Sequence, residues 1–366
     1  MSAAEARLEV DLDALAANFR TLRAQAPAAQ VAPVVKADGY GLGAGPVTLR
    51  LWAEGARSFF VARVGEGERL RAILGPERPA EILVLDGAPP GAMPRIADAR
   101  LTPVLNTLAQ VQEASAFSGP RGRRPVALHI DTGLNRLGLR TEEAAALVQA
   151  PERLRGVEIA LVMSHLACGP TPDHPMNRRQ LDAFRETVAL FPHARKSFAN
   201  SAGIFLGPDF HFDVVRPGIT LYGGGPQERH DPRIGTVATL EASILQVRTV
   251  PAGESVGYDA TFTAERTTQV AIVPLGHADG VLRALGGKGF AWFDGARRPY
   301  LGSVSMDLVA LDVTGSQAAR PGAMVELLGP NVLVDELAEM ARTISYEILV
   351  RLSSRAERAY RGDAAA

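Results

Sequence analysis

A (β/α)8 barrel followed by a smaller, mainly β domain is the fold class this sequence predicts. Eight short apolar, β-branched runs alternate with amphipathic stretches over roughly the first 225 residues, as strands buried between covering helices do. After Gly225 the pattern changes to strand-like runs separated by turn residues, which points to a β-rich unit. At 366 residues the chain also exceeds one ordinary domain.

In chain order the predicted barrel strands are VAPVVKA (31–37), SFFVARV (58–64), EILVLDG (81–87), LTPVLN (101–106), PVALHID (125–131), EIALVMSHL (158–166), KSFANS (196–201) and FDVVRPGITLYG (212–223). GEGERLRAIL, NTLAQVQEASAF, TEEAAALVQA and NRRQLDAFRETVALF read as the helices between them. The last places Leu181, Phe184, Val188 and the Leu190–Phe191 pair at near-helical spacing. Eight strands alternating with helices close a barrel. A doubly wound open sheet competes, but no dinucleotide-binding glycine fingerprint follows the first strand.

GGGPQERHDPRIG, poor in apolar residues and rich in turn formers, reads as a linker. Beyond it TLEASILQVRTV, TTQVAIVPLG, GFAWFDG, RPYLGSVSMDLVALDV and AMVELLG read as strands, and only VDELAEMARTISYEILVRLSSR as helical. The expected domains are therefore 1–225 and 226–366.

Composition narrows the function classes. Apolar residues make up 46% and charged residues 22%, as in globular proteins. A net charge of −1 with mixed signs offers no basic stripe for nucleic acid. No apolar run approaches the roughly 18 residues a membrane span needs. The single cysteine, Cys168, excludes an internal disulfide and fits a reducing compartment. Acids stand where a signal peptide would carry a basic region. A cytoplasmic enzyme is expected.

The sharpest candidate for chemistry is VVKADGYGLGAG. Lys36 ends an apolar strand, and in a barrel a strand-end lysine points at the face where active sites assemble. Burial there lowers its pKa, as Schiff-base chemistry requires. Gly39, Gly41, Gly43 and Gly45 let backbone approach a ligand, and Tyr40 can donate to a phosphate oxygen. Taken alone, a solvent-facing lysine ahead of a flexible turn accounts for the same residues. Convergence favours the site: His165 ends the sixth strand, Asn200 and Ser201 the seventh, and Arg216 lies in the eighth. A barrel phosphate site commonly uses the loops after strands 7 and 8, where Ser201 and Gly218–Ile219 fall. His174, His193, His211 and His230 show no metal-ligand spacing, so no metal is expected.

On these residues the chain resembles the bacterial alanine racemase family over nearly its whole length. VVKADGYGLG is similar to the family's pyridoxal phosphate (PLP) attachment motif. HIDTGLNRLG, MSHLA, NSAG, RPGITLYG, VGYDATF, LGHADGVLRAL, GSVSMDLVALDV and ISYEILVRLSSR follow in the family's order.

The resemblance implies PLP on Lys36, with that lysine as base on one face of alanine. It implies Tyr258 as the opposite base, supplied by the partner subunit of a homodimer. Arg216, with His165 behind it, would face the pyridine nitrogen and keep it unprotonated, curbing decarboxylation and transamination. Tyr40, Asn200, Ser201, Gly218, Ile219 and Tyr346 would line the cofactor site. Arg136 and Met306 would receive the substrate carboxylate and the cofactor's phenolic oxygen, and His277 would stand near the substrate entry. The implied role is D-alanine supply for peptidoglycan.

Three positions depart from the family's pattern. His129 stands where many relatives have a lysine, carbamylated in some, so something else must orient Arg136. His277 replaces a usual tyrosine, and Ser305 stands where a cysteine often precedes the methionine. The rival classes are a PLP decarboxylase, a broader-range exported racemase and a non-catalytic PLP-carrying barrel. Arg216 argues against the first, the N-terminus against the second, and the second domain with Tyr258 against the third.

Overall fold

The computed structural model describes residues 6–118 and 122–362. It divides into two compact units. One holds Ala16–Gly39 and Gly43–Leu221; the other holds the chain through Leu15, Tyr40–Leu42 and the chain from Tyr222 on.

The first strand, β1 (Ala6–Asp11), lies outside the barrel. The barrel strands are β2 (Gln30–Val31), β3 (Ser58–Val61), β4 (Glu81–Val84), β5 (Thr102–Leu105), β6 (Arg124–His129), β7 (Val157–Met163), β8 (Arg195–Ser197) and β9 (Val214–Val215). From β3 to β8 they pair in parallel in sequence order. The ring closes through Gln30↔Val214 and Val31↔Val215, through the Val34↔Phe60 bridge and through Asn200↔Arg216. Every residue of β3 and β5 is buried, which explains why these runs carry no apolar–polar alternation. All eight barrel strands expected from sequence are present. They are shorter than the apolar runs because the chain leaves the hydrogen-bonded ladder early to form the loops after each strand.

The run 31–37 shows this most clearly. Val34 still bridges Phe60, but beyond Lys36 the backbone turns left-handed: φ is 52° at Ala37, 55° at Asp38, 62° at Gly39 and 56° at Tyr40. Three of these four residues carry side chains, for which the left-handed region costs roughly 1–2 kcal/mol per residue.

In the second unit a six-stranded sheet runs in the order β16-β15-β18-β10-β1-β19. Its later members are β10 (Ala238–Ser243), β15 (Phe290–Phe293), β16 (Ala296–Pro299), β18 (Met324–Leu328) and β19 (Glu357–Arg361). A three-stranded sheet joins β11 (Gln246–Val250), β14 (Thr268–Val273) and β17 (Val309–Asp312). A short hairpin pairs β12 (Ser255–Val256) with β13 (Phe262–Thr263). Val250, Ala264, Val270 and Leu301 form a buried cluster in this unit. The stretch read as one helix is two, Val334–Ala341 and Ser345–Val350, parted at Arg342, whose φ is 55°.

The expected boundary shifts at the N-terminal end. β1 pairs antiparallel with β10, Ala6↔Ala242 to Val10↔Ala238, and parallel with β19, Arg7↔Glu357 to Asp11↔Arg361. Its inward residues Leu8 and Val10 are buried there, so it is a central strand of the second unit rather than part of 1–225. Among the described residues no helix is long and apolar enough to cross a membrane.

Candidate active site

Within the barrel unit, Lys36 lies where the β2 run gives way to the left-handed turn. Burial is the main influence drawing its pKa down, and the Arg136 guanidinium adds to it, while Glu66 and Asp86 oppose. A lowered pKa raises the fraction of neutral amine near pH 7, the form that attacks carbonyls and accepts protons.

Arg216 follows β9 and is 3% exposed. Its guanidinium donates to Ser197 Oγ at 2.5 Å, to the Ser164 carbonyl at 2.5 Å and to the Phe198 carbonyl at 3.4 Å. All three acceptors are neutral. Burial draws its pKa down to about 9, which still leaves it charged at neutrality. Among the described residues no carboxylate pairs with it, and a buried cation without one costs several kcal/mol.

His165 follows β7. Burial first, then Arg216, Arg136, His129 and Lys36, push its pKa well below the usual histidine value, so it stays neutral beside the cations. The hydrogen bonds of Arg216 go to Ser197, Ser164 and Phe198, and none goes to His165. His129 ends β6 with its Nδ1 2.8 Å from Asn106 Oδ1. Burial, Arg216 and Arg136 bring its pKa to about 4, against an opposing effect of Asp131. Arg136 is exposed in the loop after β6. That loop is shaped by Asp131 Oδ1, which accepts the Gly133 and Asn135 amides at 2.9 and 3.1 Å.

Just past the ends of β8 and β9, Ser201 Oγ accepts the Gly218 amide at 2.8 Å and the Thr220 hydroxyl at 3.1 Å. Its own proton is left to be donated. Ile219 opens a short 3-10 turn beside it, so the Ser201 hydroxyl proton and the Ile219 amide stand together at the end of β9, suited to an oxyanion. Asn200 Oδ1 is taken up otherwise: it caps the helix Ser201–Ile204 by accepting the Gly203 amide at 3.0 Å.

Within the second unit, Tyr40 stacks on Tyr222 with ring centroids 4.6 Å apart, and Tyr346 lies 5.8 Å from Tyr40. Burial pushes the Tyr40 hydroxyl above its usual range and Tyr346 up to about 12, so both phenols remain hydrogen-bond donors. Gly41, expected to admit a ligand, serves a different close approach. Its φ is +83°, and a Cβ there would lie 2.6 Å from the Leu349 carbonyl oxygen.

Tyr258 opens a 3-10 turn between β12 and β13 and is 70% exposed. It lines a cavity of about 400 Å³ together with Ser303, Ser305 and Leu308. Met306 is also exposed. Its carbonyl accepts the Ala278 amide at 3.0 Å, and the Ser305 carbonyl accepts the His277 amide at 3.0 Å. The Met306 and His277 turns are thereby held as one piece.

The sequence-predicted residues thus form two sets. Lys36, His165, Arg136, Arg216, Asn200, Ser201, Gly218 and Ile219 belong to the barrel unit, and Tyr40, Tyr258, His277, Met306 and Tyr346 to the other. Sequence reasoning missed Glu66, Asn106 and Tyr222. Asn106, at the end of β5, had a signal in its strand-end position; the other two had none beyond residue type.

Residues 10–226 match the family model described as alanine racemase, N-terminal domain, and residues 237–360 match that of alanine racemase, C-terminal domain. The catabolic alanine racemase of Agrobacterium fabrum is 44% identical over 98% of this chain and 92% of its own length. The alanine racemase of Rhodospirillum rubrum is 46% identical over 98% and 96%. Among solved structures, alanine racemase from Bartonella henselae with covalently bound pyridoxal phosphate superposes with a TM-score of 0.93. It is 37% identical, covering 98% of this chain and 100% of that one.

Proposed function

The chain belongs to the alanine racemase family, and from that premise we propose that it interconverts L- and D-alanine with PLP held by Lys36, as a homodimer. The observation that carries this reading is the guanidinium of Arg216, 3% exposed and hydrogen-bonded to neutral oxygens, in the same unit as Lys36 at the end of the β2 run.

PLP fits the donor set. Lys36 offers an amine for its aldehyde, Arg216 an N–H donor for its ring nitrogen, and Ser201 Oγ and the Ile219 amide donors for its phosphate, with the Gly218 turn held in place by its bond to Ser201. The protonated phenols of Tyr40 and Tyr346 are donors of the kind a phosphate takes, and Asn200 fixes the turn that carries Ser201. When bound, PLP supplies the electron sink that acidifies the Cα of an attached amino acid.

The chain's own groups then move the proton. Lys36 Nζ removes or returns it at Cα on one face, and Tyr258 Oη, supplied by the partner subunit, does so on the other. The exposure of Tyr258 on its own unit supports that division. Arg216 keeps its proton near neutral pH, so it offers a hydrogen bond and no transferable proton, which disfavours decarboxylation and transamination. Arg136 and the Met306 amide hold the substrate carboxylate, and His277 borders its approach. In the cell the product serves cytoplasmic D-alanine supply for peptidoglycan.

Purified protein should equilibrate L- and D-alanine, followed by circular dichroism, without releasing carbon dioxide. Borohydride reduction followed by peptide mapping should place the pyridoxyl label on Lys36. Carbon dioxide release, or a label on another lysine, overturns the reading.

A further inference from the structure

One carboxylate bridges the lysine's turn to the next barrel strand. Glu66 Oε1 accepts the Ala37 amide at 2.8 Å, while Oε2 accepts the Ala62 amide at 2.7 Å and the Arg63 amide at 3.1 Å. The Arg63 bond is an ordinary N-terminal cap for the helix Val64–Leu74, with Glu66 at its third position. Capping alone needs one oxygen and would be met by glutamine as well. The bond to Ala37, 29 residues earlier, needs the second. Only a carboxylate serves both sides, because the amide nitrogen of glutamine would meet an N–H donor with its own hydrogens.

The Ala37 bond falls at a telling place. Ala37 begins the left-handed stretch, which its residues do not favour intrinsically. The far side of the turn is held by Asp38, whose carbonyl accepts the Gly43 amide at 2.8 Å and whose Oδ1 accepts the Ala44 amide at 2.8 Å. The near side has Gly39 N–H on the Val35 carbonyl at 3.0 Å and Glu66 on Ala37. Lys36 is the residue immediately before the clamped amide.

We propose that Glu66 is a positioning residue for Lys36: its carboxylate clamps the backbone just past the lysine and fixes where Nζ is presented. The proposal rests on the reading of Lys36 as the PLP lysine. The carboxylate also places a negative charge near the amine and opposes the influences that depress it.

The test compares Glu66→Gln and Glu66→Ala holoenzymes with wild type, with thermal melting as the control for folding. PLP release into excess scavenger should speed up in Glu66→Ala by roughly the 10–100-fold typical when a partner that orients a ligating residue is lost. Glu66→Gln, which keeps one acceptor oxygen, should fall between. The value of kcat should drop by up to about 10²-fold, as a misplacement near 1 Å produces, with KM for alanine little changed because Arg136 and Met306 are untouched. In the cofactor-stripped full chain, acetylation of Lys36 followed by peptide mapping should titrate at lower pH in both variants. Folded variants with wild-type release, kcat and Lys36 titration overturn the proposal. Loss of folding in both assigns Glu66 to structure and overturns it equally. Borohydride mapping of wild type tests Lys36 separately, so failure of the clamp and failure of the lysine assignment are distinguishable.

Discussion

Asn106 sets the tautomer of His129. The Asn106 amide nitrogen donates to the Leu85 carbonyl at 3.0 Å and to the Val104 carbonyl at 2.9 Å, so its Oδ1 is the atom left to accept. His129 Nδ1 lies 2.8 Å from that oxygen and must carry the proton, leaving Nε2 with its lone pair. His129 is thus a buried, neutral imidazole of fixed orientation.

Its titration should be visible in stability. The folded pKa of about 4 lies below the ordinary value of roughly 6.5 for an unfolded chain. Between these values the unfolded state binds more protons, so stability rises with pH. The contribution is complete above about pH 6.5 and disappears as pH falls through about 4, amounting to about 3 kcal/mol across that window. Melting of His129→Gln should depend less on pH than wild type between those limits. Parallel curves would show that His129 is not the group responsible.

A histidine at this position also forms no lysine carbamate. Activity in buffer stripped of carbon dioxide should match activity with added bicarbonate, and intact mass should show no extra carboxyl group. A bicarbonate requirement would mean that a lysine elsewhere has taken over the role.

Arg216→Glu should weaken reaction control. A carboxylic acid facing the ring nitrogen can protonate it, which stabilises the carbanion for longer. Racemisation should fall by about 10²-fold or more, the usual scale for losing one preorganised charge. Pyruvate should appear from alanine as a side product. Full racemase activity with no pyruvate would remove Arg216 from this role.

The proposed sharing of sites between two subunits makes a quantitative prediction. Lys36→Ala and Tyr258→Ala homodimers should each be nearly inactive. In a mixed dimer one site carries both defects and the other neither. Random reassortment makes about half the dimers mixed, each with one good site of two, so co-refolded protein should recover about a quarter of wild-type activity. No recovery with mixing confirmed by mass would place both residues in one subunit's site, or take Tyr258 out of the reaction.

The sequence carried the barrel because its strands are buried on both faces, and continuous runs such as SFFV and TPVL cannot sit on a solvated surface. Lys36 was visible as a charge closing such a run. The position of β1 was not, because the inward Leu8 and Val10 fit the core of either unit equally well. Glu66 was hidden for a related reason. An acid in a helix's first turn is ordinary, and its second bond depends on a backbone turn that no local pattern announces. Asn200 has a second task that its strand-end place did not announce, since a strand-end amide can also cap the helix that follows, as it does here.

The place of β1 has a consequence for how the chain assembles as it is made. The strand leaves the ribosome well before its partners, which are β10, more than 200 residues later, and β19 near residue 360. The barrel can close while β1 still waits with both edges bare, and pairings so distant in sequence form slowly. An unpaired strand of this kind is a template for joining another copy. Its inward Leu8 and Val10 are separated by Glu9, and Arg7 and Asp11 add further charges, so the waiting segment offers a neighbouring nascent chain charged side chains along with its apolar ones.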